Sequence, residues 1–150
     1  MTVEITDDIH RLLGIELFNY TWELLDKTNR TPQEADTMIH AAHASRFHWE
    51  KVGRPVNLTR GDWQISRVYA VLQRPEPALY HARRCLEVCQ ANGIGDFDLA
   101  YAYEAMARAS SVAGDTESLE RYKALAYQAG EQIAEEDDKK LFLSDMDTLP

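Results

Sequence analysis

Two cysteines and seven glycines are all that a chain of 150 residues contains. Two cysteines cannot staple that length, so a disulfide scaffold is excluded. No apolar run approaches the ~20 residues that a membrane-crossing helix needs. The acidic start, Met1 to Asp8, lacks the basic and apolar regions of a signal peptide, so a cytoplasmic protein is expected. There is no Gly-x-Ser-x-Gly elbow and no glycine-rich phosphate loop. Asn92-Gly93-Ile94-Gly95-Asp96 holds two glycines, but it follows a helical pattern rather than a strand and reads as a connector. Asn57-Leu58-Thr59 matches a glycosylation acceptor, which a cytoplasmic chain would not use. No segment alternates polar and apolar residues as a half-buried strand does.

What is present is a core and an uneven charge. The hydrophobic share is 45%, and one domain of this length buries roughly 68–70% of its unfolded surface. The net charge of −9 divides sharply along the chain. Residues 1–45 carry three basic and eight acidic groups, 46–84 carry eight and three, and 85–150 carry five and fourteen. A basic middle between acidic flanks implies either charge pairing between helices or a local positive surface. The overall charge repels polyanions, so nucleic acid is not an expected partner.

Apolar residues recur at helical spacing almost throughout. Ile9, Leu12, Leu13, Leu17, Tyr20 and Leu24 mark a first helix, with Asp7 or Asp8 as its cap. Thr31-Pro32-Gln33-Glu34 carries the Thr cap, the first-position Pro and the Glu of a capping box, and starts a second helix that runs to Gly53. Arg54 to Asn57 reads as a loop, because Pro55 disfavours helix at Arg54. A third helix covers about Thr59 to Gln73, and a fourth runs from near Glu76 to Ala91, with Asn92-Gly93 as a left-handed stop. Asp96 or Asp98 caps a fifth helix ending at Ala113-Gly114, and Asp115 or Thr116 caps a sixth. Glu135 to Asp138 is a solvated acidic patch. Leu141, Phe142, Leu143 and Met146 form a last short helix that packs back on the body, seals one end, or exchanges between protomers of a homodimer.

The chain repeats. Ser66 and Ala107, Arg67 and Arg108, Ala78 and Leu119, and Cys85 and Ala126 are all pairs 41 residues apart. Ala35 and Ala42 stand 43 residues before Ala78 and Cys85. In the second hairpin Ser66 takes the small position where two helices approach, Tyr69 the aromatic position, and Ala78 and Cys85 the small positions of the partner helix. In the third, Ala107, Gly114-Asp115 and Ala126 correspond, while Ser110 replaces the aromatic and Leu119 replaces Ala. On these residues the chain resembles the tetratricopeptide-repeat family, well over about 59–130 and weakly over 8–53. The period exceeds the common ~34 residues, and Pro32 and Pro75 fall in inter-helix turns. The resemblance implies an all-α domain of three antiparallel hairpins stacked as a short right-handed superhelix, with a C-terminal helix. A generic helical bundle is the alternative.

The resemblance also implies that the first helix of each hairpin lines a concave, partner-binding face. That register places Arg60, Trp63 and Arg67 from one hairpin beside Tyr101, Glu104 and Arg108 from the next. Arg forks bind carboxylates bidentately, and Trp and Tyr anchor interfaces. A protein-interaction module for an acidic peptide or a partner helix follows, with no cofactor and no catalytic group. The Lys and Asn of the carboxylate-clamp subset are absent from these places. The alternative is that Glu50, Asp62 and Glu104 neutralise the arginines within the fold.

A competing reading rests on histidine. His40 and His43 share a helix face one turn apart, with His48 five residues further on. Neutral imidazoles bind zinc, and a metal-binding or enzymatic helical protein would need a third ligand such as Glu50 or His81. His81, Cys85 and Cys89 also line one helix, but they span ~12 Å, too far for one ion. Cys85 is expected to be a buried free thiol at a packing position.

Overall fold

The computed structural model describes residues 3–150; Met1 and Thr2 of the acidic start lie outside the described residues. Seven helices and no strand are found among them. They are α1 (Asp7–Leu25), α2 (Pro32–Val52), α3 (Pro55–Val71), α4 (Pro75–Ala91), α5 (Asp96–Val112), α6 (Thr116–Gly130) and α7 (Glu136–Met146). Neighbours in sequence pack as pairs, α1 on α2, α3 on α4 and α5 on α6. The pairs stack through α2–α3 and α4–α5, and α3 also meets α1 and α5. This is an all-α, repeat-like stack, with α7 folded back against α5 and α6.

Local chemistry sets the ends. Thr31 accepts from Glu34 N–H at 3.1 Å while the Glu34 carboxylate accepts from Thr31 N–H, also at 3.1 Å, which completes the capping box. Asp115 caps α6 by accepting from Ser118 N–H. Gly93 and Gly114 hold φ values of 63° and 75°, the left-handed stops of α4 and α5. Two caps differ from the sequence reading. Thr6, not Asp7 or Asp8, caps α1 by accepting from Ile9 N–H. Asp7 and Asp8 stand in the first turn, where a negative charge meets the helix dipole favourably. Gly95 precedes α5, and Asp96, at a φ of 53°, takes the N–H of Ala134 and so ties the start of α5 to the entry of α7.

The expected loop at Arg54–Asn57 is instead the first turn of α3. Pro55 does force Arg54 into extended backbone, with ψ at 169°. That extended residue serves as the N-cap, and Pro55 itself takes the first helical position, where its missing N–H costs nothing. Pro32 and Pro75 open α2 and α4 in the same way.

The core is built from small residues. Ala78, Ala82, Ala100, Ala102, Ala107, Ala109 and Ala126 are wholly buried, which lets helix axes approach closely. The Ser66 hydroxyl donates to the Ala78 carbonyl at 2.8 Å and fastens α3 to α4. In the first hairpin the fastening runs the other way, from Ser45 of α2 to the Gly14 carbonyl of α1 at 2.7 Å. A Cβ on Gly14 would meet the Trp49 ring at 2.9 Å. Cys85 and Cys89 are free, buried thiols beneath Thr59, whose hydroxyl donates to the Cys85 carbonyl. None of the helices is long and apolar enough to cross a membrane.

Candidate functional site

The face shared by α1, α3 and α5 gathers the residues singled out by the repeat. Arg67 and Arg108, one repeat apart, converge on a single carboxylate. Glu104 Oε1 lies 3.3 Å from Arg67 Nη2 and 2.6 Å from Arg108 Nε, and the Glu104 side chain is 0% exposed. A carboxylate this deep is tolerable only because two guanidiniums face it. The arginines are themselves mostly covered, at 14% and 17% exposure. Glu104 thus neutralises both of them inside the fold.

The cover is α7 and the turn after it. Asp145 Oδ2 accepts from the Tyr101 hydroxyl at 2.6 Å, and Asp145 Oδ1 stands 3.8 Å from Arg67 Nη1. Arg108 Nη2 donates to the Asp145 carbonyl and to the Thr148 hydroxyl. Burial, followed by the bond to Asp145, pushes the Tyr101 phenol far up, so it stays protonated and donates. Phe142 and Met146 are sunk between α5 and α6, with Phe142 edge-on to Tyr101 at 5.3 Å. Gly130 admits the Phe142 ring, which any Cβ at that position would strike. The polar side of this cluster is incompletely satisfied. Glu104 Oε2, Arg67 Nε and Trp63 Nε1 are buried without a hydrogen-bond partner among the described residues.

Beside the first half of α7 the same face stays open. A groove of about 670 Å³ runs between Phe18 and Trp22 of α1, Arg60 and Trp63 of α3, Phe97 and Asp98 of α5, and Asp138 and Leu141 of α7. Trp22 and Trp63 tilt against each other at 5.4 Å, and Trp63 is edge-on to Tyr101 at 5.1 Å. Arg60 makes a two-pronged bond to Asp98, 2.8 Å from Nε and 3.1 Å from Nη2. That bond raises the guanidinium pKa further against the opposing effect of burial. Arg60 remains 49% exposed.

Of the six residues that the repeat register selects, Arg60 and Trp63 line the open groove, while Arg67, Tyr101, Glu104 and Arg108 lie under α7. Asp62 and Glu50 face elsewhere, towards Arg46. Phe18, Trp22 and Asp145 were not singled out from sequence. Phe18 and Trp22 belong to the hairpin with the loosest repeat match, and Asp145 reaches the face only through the return of α7.

The three histidines of α2 separate. His40 is exposed. His48 meets His10 of α1, Nδ1 to Nδ1 at 2.9 Å. His43 turns towards α3 and α4, with its Nε2 2.8 Å from the Tyr69 hydroxyl and its ring 5.3 Å from that of His81. Burial, with smaller effects from neighbouring histidines, lowers the pKa of both His43 and His48. Among the described residues no three His, Cys, Asp or Glu side chains are gathered as a ready metal site. The chain matches no family model, no curated protein and no solved structure.

Proposed function

We propose that the protein is a tetratricopeptide-like interaction module, with no catalytic group of its own, whose inner face binds an amphipathic helix or peptide from another protein. The observation that carries this reading is α7. An acidic, amphipathic helix already lies on the face, held by two apolar anchors, Phe142 and Met146, and by Asp145 against Arg67 and Tyr101. The same chemistry repeated in trans is the simplest use of the groove next to it. Trp22, Trp63 and Phe97 offer an aromatic wall for an apolar anchor. Arg60 is half exposed and offers a guanidinium for which an incoming carboxylate competes with Asp98.

The repeat assignment is supported by burial at the matching positions. Ser66, Ala107, Ala78, Cys85 and Ala126 all lie at 0–1% exposure, and Leu119 at 5%. The departures at Ser110 and Leu119 and the 41-residue spacing make the stack a divergent one.

Affinity capture with the whole chain tests the reading, using variants at exposed positions. Leu141→Arg and Arg60→Ala alter the groove without touching the core. A partner retained by the unaltered chain is expected to be lost by at least about tenfold in each, the cost of one anchor residue, with helix content unchanged. A captured set identical for all three proteins would overturn the reading.

A further inference from the structure

We infer that His43 and His81 form a two-imidazole site for a divalent transition-metal ion of the zinc type, in an open cleft lined by α2, α3 and α4.

The cavity holds about 500 Å³ and is walled by His43, Arg46, Asp62, Tyr80 and His81 among others. The two rings stand 5.3 Å apart between centres. Metal–nitrogen bonds of about 2.0–2.1 Å in tetrahedral geometry set two ligating imidazoles at about the same separation, roughly 5 Å between centres.

The nitrogen pairing makes the case more specific. His81 Nδ1 is 3.0 Å from Asp62 Oδ1. Asp62 is nearly buried and is fixed from its other side by Arg46 Nε at 3.3 Å. His43 Nε2 is 2.8 Å from the Tyr69 hydroxyl. Each imidazole therefore has one nitrogen engaged by an oxygen that can hold its proton. His81 Nε2 and His43 Nδ1 make no hydrogen bond among the described residues. A carboxylate behind the ring, as Asp62 stands behind His81, holds the Nδ1 proton and leaves Nε2 as a lone-pair donor, the outer-shell pattern of ligating histidines; His43 presents Nδ1 in the same way when the Tyr69 hydroxyl accepts from Nε2. Packing alone does not call for it, since an apolar pair would fill the space without burying a charged Asp62 and Arg46.

The protein supplies two ligands, so the remaining positions on the ion fall to water or to a small ligand entering the open cavity. Imidazole nitrogen suits zinc, copper, nickel and cobalt, and not calcium or magnesium.

Cobalt(II) titration of the whole purified chain, followed by its visible absorption, with zinc(II) as competitor, tests the site. One equivalent of cobalt is expected to bind and to be displaced by zinc. His81→Ala and His43→Ala are each expected to abolish binding. Tyr69→Phe, which removes only the outer hydroxyl, should weaken it about 10- to 100-fold. If His43→Ala fails to fold, His81→Ala carries the test, since its side chain is 17% exposed. Absence of cobalt binding by the unaltered chain overturns the site. So does binding that survives His81→Ala but is lost in His48→Ala or His40→Ala, because the ion would then sit on the other histidines of α2.

Discussion

Glu104 carries its charge at zero exposure, and two arginines share it. Removing one member of a buried ionic cluster costs far more than the cluster contributes, because the uncompensated partners stay buried. Glu104→Ala is therefore expected to lower the unfolding free energy in urea by about 3–5 kcal/mol. A change below 1 kcal/mol would mean that Arg67 and Arg108 simply swing into water. His48 shows the same economy with a titratable proton. Burial first, and then His10, lower its pKa below the ordinary histidine value. A lowered pKa means that the unfolded chain binds the proton more readily. The stability contributed by neutral His48 is thus present above the ordinary histidine pKa and is lost as pH falls through the folded one. In an NMR titration His48 should give an apparent pKa below that of an exposed histidine, and His10→Gln should move it only part of the way back, because burial remains.

At the scale of the element, α7 is short and acidic at its start, and most of its surface is solvated. Eleven residues do not make a stable helix alone in water. Its order comes from Phe142 and Met146, both essentially unexposed, and from Asp145. Phe142→Ala is expected to cost about 3–5 kcal/mol in urea unfolding, with amides of 136–146 becoming the first to exchange with solvent. Leu143→Ala, at a 41% exposed position, serves as the control and should leave both unchanged. The acidic run Glu135–Asp138 reads from sequence as a solvated patch. It is solvated in large part, but it also provides the N-cap and first turn of α7, where negative charge complements the helix dipole. Pro55 teaches a related lesson. It does force Arg54 into extended backbone, but a residue forced out of helix before a proline is equally a loop or an N-cap. Only the packing of the residues that follow decides between them.

For the whole molecule, seven helices, their hairpin pairing and most of their ends follow from periods, caps and stops that lie within a few residues of one another. Thr31-Pro32-x-Glu34, Gly93, Gly114 and Asp115 act locally, so the sequence determined them. The 41-residue repeat likewise located the small residues on which helices close, because close approach demands small side chains at fixed intervals. The charge division along the chain was visible too, but not its destination. Whether the basic middle forms a surface or pairs internally depends on which acid lies across from each arginine. Those partners are 37 or 38 residues away for Arg67 with Glu104 and Arg60 with Asp98. The fold of α7 onto the arginine face, the meeting of His43 with His81 across α3, and the separation of His40, His43 and His48 were likewise decided by tertiary structure alone. Periodicity places a side chain on a face of its own helix; what stands opposite that face depends on how separate helices cross, and no local signal records it.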